Sequence, residues 1–272
     1  MFKARKNGDH RLVCKLQKLL LNSKAAKFLA VRQVTQLNQG KATAGIDGKT
    51  ALTPKERMEL ASSLQDGWKT WEHQKLRRVY IPKKDGTKRK LGIPTIGDRA
   101  YQCLLKLALE PCAEATFHGN SYGFRPGRGT HDVQKRLFNT LNSQAKGINK
   151  HILELDIEKC FDNIDHQVIL AKTELPACAK NGLKRVIKAG VKGEFPSSES
   201  GTPQGGVISP LLANIALNGV ESILPKATCL RYAPDMVYIF KGVQNEPEQS
   251  INLEVINNFL GQRGLNTKDS KT

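Results

Sequence analysis

No stretch of this 272-residue chain offers the roughly 18 consecutive apolar residues that a membrane-spanning helix requires, so no span is expected. The N-terminus, MFKARKNGDHR, has no apolar segment behind its basic residues, which argues against a secretory signal. None of the six cysteines (14, 103, 112, 160, 178 and 229) stands in Cys-x-x-Cys spacing, and no histidine follows at a zinc-ligand interval. Apolar settings such as CLLKLALEPC read instead as buried free thiols in a reducing compartment. Internal repeats and low-complexity linkers are lacking too. Negative charge is also short: 25 Asp and Glu stand against 43 Lys and Arg, a formal balance of +18. Such a positive field attracts polyanions. The charge is clustered as well, with nine Lys or Arg over residues 75–99 against Asp85 and Asp98 alone. Nucleic acid is therefore the expected partner, and a membrane is not.

What is present reads as α+β with a mixed or antiparallel sheet. Residues 11–39 carry a helical pattern in which Leu12, Leu16, Leu19 and Leu20 share one face. KATAGIDGKT interrupts it. A second helix starts at Thr53-Pro54, with Thr53 as N-cap, Pro54 at the first helical position and Glu56 in the first turn. LRRVYI (76–81) is a β-type run, PKKDGTKRK a lysine-rich turn with Asp85-Gly86 at its tip, and KLGIP the return, which makes a basic hairpin. DRAYQCLLKLALEPCAEATF is helical, HGNSYGFRPGRGT is a glycine-rich loop, and a helix follows over about 130–142. HILELDI (151–157) is a buried strand with Asp156 near its end. Asp165 can cap a helix from His166, and GTPQGGVISPLLANIALNGVE is a glycine loop entering an apolar helix. A strand over 229–240 and a helix near 249–262 complete the pattern.

Aspartate is disfavoured in strands, yet Asp156 follows ILEL and Asp235 sits in RYAPD. Either one alone is as readily a turn or cap residue. With a basic hairpin and a Pro-Gln-Gly-Gly loop, however, they make up the parts of a nucleotide polymerase. Phosphoryl transfer with two magnesium ions needs hard oxygen ligands from separate segments, cations on the triphosphate and a positive groove for the template.

Eight blocks make the likeness specific: AGIDG (44–48), RRVYIPKKDGTKRKLGIPT (77–95), DRAYQCLLKLALEP (98–111), SYGFRPGRGTHDV (121–133), LELDIEKCFDNIDH (153–166), GTPQGGVISPLLANIAL (201–217), RYAPD (231–235) and GLNTKDSKT (264–272). In that order they resemble the reverse transcriptase region of group II intron-encoded reverse transcriptase/maturases, from about residue 10 onward. The resemblance implies a right-hand polymerase fold of fingers and palm, the palm an antiparallel sheet flanked by helices. An N-terminal extension and basic fingers region would occupy 1–150, and the palm 151–272. It implies Mg2+ as cofactor, structured or intron RNA as partner, and a bacterial cytoplasm or an organelle as location.

Residue by residue, the resemblance makes Asp156 and Asp235 the catalytic carboxylates, which hold the metal with the backbone carbonyl of Ile157. Phe161 would sit under the incoming sugar, Lys83 and Arg89 would grip the triphosphate, and Gln204 would line the nucleotide and template pocket. Asn120, Tyr122, Phe124 and Arg125 would contact template and brace the fingers. Arg77, Arg78, Lys84, Lys88, Lys90, Arg125 and Arg128 are the expected RNA-binding cations. Without the resemblance, Phe161 reads equally as core and the hairpin cations as solvated charge.

Two departures matter. The family's Tyr-Ala-Asp-Asp is Tyr-Ala-Pro-Asp here, so Pro234 stands where the first aspartate shares the metals with the Asp156 position. Proline brings no carboxylate and no N–H, and its fixed φ is expected to suit position i+1 of the turn. Asp162, Asp165 and Asp235 are poor replacements, because metal geometry tolerates little displacement. The chain also stops soon after the block that follows the palm hairpin, so no thumb is expected, and the face a thumb would cover becomes a candidate site for other protein subunits. The expected function is a polymerase-fold splicing or assembly factor, or a ribonucleoprotein subunit, that binds RNA with its catalysis lost or impaired. The alternatives are an active RNA-directed DNA polymerase needing a partner for its thumb, and a recruited structural subunit without an RNA role.

Overall fold

The computed structural model describes residues 1–50, 53–82, 86–192, 200–202, 205–242 and 245–268, with the backbone alone at Asp66. Three helices open it: α1 (Phe2–Lys6), α2 (His10–Asn22) and α3 (Lys24–Arg32). The single helix expected over 11–39 is broken at Ser23, which is extended (ψ 128°) and accepts a hydrogen bond from the Ala26 amide as the N-cap of α3. A serine hydroxyl competes with helix continuation in this way. The buried face of α2 also differs from the expected leucine face. Val13, Gln17 and Leu21 are fully buried, whereas Leu12 and Leu19 are 41% and 69% exposed. Gln17 sits in the core with its Nε2 donating to the carbonyls of Ala108 (3.2 Å) and Glu174 (2.7 Å), while its buried Oε1 has no partner among the described residues.

Helix α4 (Pro54–Gly67) begins as the sequence predicts, with Thr53 and Glu56 closing a reciprocal capping box behind Pro54. Strands β1 (Arg77–Pro82) and β2 (Lys88–Ile93) pair antiparallel, from Arg77 opposite Ile93 to Pro82 opposite Lys88. Helix α5 (Ile96–Glu114) then runs through the core, burying Ala100, Tyr101, Leu104, Leu105, Ala108 and Leu109. A helix apolar on most sides can be stable only when surrounded. Helix α6 (Thr130–Leu141) follows the glycine-rich loop.

The second sheet holds β3 (Lys150–Leu155), β4 (Ala227–Tyr232) and β5 (Asp235–Lys241), all antiparallel in the order β3-β5-β4. Between β3 and β4 lie α7 (Cys160–Asn163), α8 (His166–Lys172), α9 (Ala177–Ile187) and α10 (Ser209–Leu217), and α11 (Glu246–Gly261) follows β5. Period-two alternation divides the sheet. Leu153, Leu155, Met236, Tyr238 and Phe240 join the main core, while Leu230, Val237 and Ile239 pack under Val133, Leu137 and Leu141 of α6. The strand expected over 229–240 is thus two strands folded on each other at Ala233-Pro234. One continuous core runs from Leu21 to Leu265. All six cysteines are free, and burial pushes the thiols of Cys103 to about 11 and of Cys160 and Cys229 to about 12, so they stay protonated at neutral pH.

Candidate functional site

The β3 and β5 strands pair as far as Leu155 opposite Met236, and continuing that register by one residue sets Asp156 opposite Asp235. Leu155 and Met236 point into the core, so the alternation turns positions 156 and 235 to the other face. Asp156 is half-buried and Asp235 exposed. Tyr232 pairs with Asp235, leaving Ala233 and Pro234 as the two central turn residues. Pro234 therefore occupies the second central position, not the first as expected. The residue with positive φ is Ala233, at 58°. Positive φ costs a non-glycine residue about 1–2 kcal/mol, and proline's fixed negative φ follows it in the turn.

The turn is held from outside. Arg231 is fully buried, and its guanidinium donates to Glu221 Oε1 (2.6 Å), Asn214 Oδ1 (2.8 Å), Ser121 Oγ (2.7 Å) and the carbonyl of Ala233 (3.2 Å). The main chain of Arg231 also bonds the 120–122 segment, accepting from Tyr122 N (2.9 Å) and donating to Asn120 O (3.0 Å). Next in that segment, Gly123 lies so close that a Cβ there would stand 2.5 Å from Ala233 N. SYG and RYAPD are thus physically joined, and β4 and β5 stay paired up to the turn that holds the proline. Sequence reasoning missed Glu221, Asn214 and Ser121 as partners. The available signal was an arginine flanked by apolar strand residues, which has to find a buried acceptor set.

Around the other wall, Asp156 O accepts from Lys268 N (2.9 Å), and Glu158 N donates to Asn266 O (3.0 Å). The glycine loop lies on α7: Gly201 N donates to Ile164 O (2.7 Å) and Thr202 N to Phe161 O (2.6 Å). Gly205 has φ +113°, and a Cβ on it would come within 3.1 Å of Gly92 O at the base of β2. The half-buried Phe161 ring meets the exposed Phe124 edge-on at 6.4 Å, and Phe124 holds φ 58°. The loop, the ribbon base, α7 and the GFRP segment are thereby brought together.

Of the expected cations, Arg77, Lys88, Arg89 and Lys90 are exposed on the ribbon and Arg78 is half-buried. Lys83, Lys84 and Gln204 lie outside the described residues. Arg125 is placed differently from its expected role as an RNA contact. It is 8% exposed and donates to Glu114, His118 O and Ser121 O while stacking on Phe117 at 5.1 Å, which makes it an internal brace. Arg128, half-buried, turns to the carbonyls of Gly119 (2.5 Å) and Ser121 (3.1 Å) and to the Tyr122 ring (5.5 Å).

Of the expected metal ligands, Asp156 and Asp235 stand opposite each other where the β3–β5 register ends, and Ile157 is buried. Asp165 is engaged as the cap of α8, accepting from Gln167 N (2.5 Å) and Val168 N (3.3 Å). Among the described residues no three His, Cys, Asp or Glu side chains group as metal ligands. A two-magnesium site needs carboxylates bridging both ions, and this donor set does not fit one.

Residues 81–272 match the family described as reverse transcriptase (RNA-dependent DNA polymerase), and residues 1–64 match the N-terminal domain of reverse transcriptase. Maturase-like protein 1 of Euglena gracilis is 34% identical over all of this chain, which covers 57% of that protein. Protein YkfC of Escherichia coli strain K12 is 36% identical over 77% of the chain and 58% of its own length. The group II intron-encoded protein LtrA of Lactococcus lactis is 36% identical over 69% of the chain and 31% of its own length. The chain thus spans less than two thirds of each relative. In fold it is similar to apo telomerase from Candida tropicalis, at TM-score 0.56 and 12% identity over 81% of this chain and 49% of that one.

Proposed function

The chain belongs to the group II intron-encoded reverse transcriptase/maturase family, and from that premise we propose that it is an RNA-binding splicing or assembly factor, or a ribonucleoprotein subunit, whose polymerase chemistry is lost or strongly impaired. Reverse transcriptases generally use Mg2+, and maturases of group II introns bind intron RNA. The observation that carries the proposal is Pro234 in a hairpin otherwise kept by Arg231, Glu221 and Gly123. The backbone is retained and the ligand is not. Losing about 4 kcal/mol of transition-state stabilisation with a bridging carboxylate corresponds to about 10³-fold in rate. RNA binding needs no such ligand. It draws on a balance of +18 and on the exposed cations Arg77, Lys88, Arg89 and Lys90. The setting this fits is a bacterial cytoplasm or an organelle.

The test uses the purified chain with a primed RNA template, dNTPs and Mg2+, and in parallel a salt titration of RNA binding. The expected result is background extension with salt-sensitive binding that weakens when Arg77, Lys88 and Lys90 are neutralised. Extension above background that Asp156→Ala abolishes overturns the loss of chemistry. Absence of RNA binding at low salt overturns the RNA role.

A further inference from the structure

The β1–β2 ribbon has two faces, and its register sorts the side chains between them. One face carries Val79, Leu91 and Ile93, which are half-buried or buried, together with the exposed Arg77, Ile81 and Arg89. Only its base, at Ile93, is buried. The other carries Arg78, half-buried, opposite the buried Gly92 at its base, and beyond them Tyr80 opposite Lys90 and Pro82 opposite Lys88, all four exposed, with Tyr80 at 52%. We propose that this outward face is a stacking platform for single-stranded RNA, separate from the face that holds Arg89. The proposal rests on the RNA-binding reading above and assigns a surface to it.

Three observations carry it. First, the outward face holds cations and no acid, since neither RRVYIP nor KRKLGI contains an Asp or Glu, so it complements a polyanion. Second, the aromatic ring stands amid this charge with Pro82 as its one exposed apolar neighbour among the described residues of that face, Leu76 being buried over Gly92, so a protein partner would find little apolar surface to bury. An unstacked base needs only one ring face, and such stacking tolerates any sequence. Third, Lys88 and Lys90 are two residues apart on one strand, hence about 6.7 Å apart along it, a spacing suited to successive phosphates of an extended strand. Duplex RNA keeps its bases stacked internally and offers Tyr80 nothing to stack on.

Fluorescence anisotropy of the full chain with a labelled single-stranded RNA oligonucleotide, and with the duplex of the same sequence, tests this. Tyr80→Ala is expected to weaken single-strand binding about 5- to 100-fold, while Tyr80→Phe, which keeps the ring, stays within about twofold of the unsubstituted protein. Lys88→Gln and Lys90→Gln should each lower the salt slope by about 0.7. If the unsubstituted chain binds RNA and Tyr80→Ala binds equally well, the platform is overturned and the RNA-binding reading stands. Duplex binding as tight as single-strand binding, and equally sensitive to Tyr80→Ala, also overturns it. If the unsubstituted chain binds no RNA at low salt, both readings fall.

Discussion

Replacing Arg231 by methionine tests how the hairpin is held. The substitution removes a cation that is fully buried and leaves the Glu221 carboxylate, also at 0% side-chain exposure, without its partner at 2.6 Å. Asn214 Oδ1, Ser121 Oγ and the carbonyl of Ala233 lose a donor at the same time. Breaking a buried ion pair from one side costs about 3–5 kcal/mol, because an uncompensated charge remains inside. At about 2–4 °C per kcal/mol for a protein of this size class, the melting temperature should fall by about 6–20 °C. Arg231→Met combined with Glu221→Leu removes the orphaned charge and should restore much of the loss, giving a coupling energy well outside additivity. Urea and thermal denaturation followed by circular dichroism measure all three variants. A single variant within about 1 kcal/mol of the unsubstituted protein would refute the reasoning.

Gly123→Ala places a Cβ 2.5 Å from Ala233 N and 3.0 Å from the Tyr232 carbonyl carbon, backbone atoms that can yield only by moving the hairpin. A loss of about 1–3 kcal/mol in urea unfolding is expected, and unchanged stability would show that the close approach is not tight. His73, with its side chain 1% exposed, has its pKa lowered by burial, against the opposing pull of Asp98 at 3.8 Å. Because the folded value lies below the unfolded one, the unfolded chain takes the proton first on acidification. Its stabilisation is therefore complete above about pH 6.5 and declines below it. His73→Gln should flatten the stability profile between about pH 7 and 5, and an identical profile contradicts the assignment.

Local chemistry made much of this legible. Thr53-Pro54 with Glu56, and Asp165 before His166, announce helix starts because short polar side chains satisfy the first amides. The basic ribbon and the strand before Asp156 follow from alternation and turn residues. Tertiary partners decided what stayed hidden. Gln17 is buried in place of a leucine because its acceptors lie 91 and 157 residues away. Arg125 reads as a surface cation until Glu114, a turn beyond the reach of motif reasoning, claims it. Pro234 takes the second turn position because the β4–β5 register pairs Tyr232 with Asp235, and that register is set along the whole hairpin and not by the turn residues alone.

Binding of Mn2+, followed by electron paramagnetic resonance as a stand-in for Mg2+, tests the missing carboxylate without asking the chain to polymerise. The unsubstituted protein should bind weakly at the hairpin, Pro234→Asp should gain about tenfold or more, and Asp156→Ala should erase that gain. Affinity in the unsubstituted chain equal to that of Pro234→Asp, and lost in Asp156→Ala, would contradict the account.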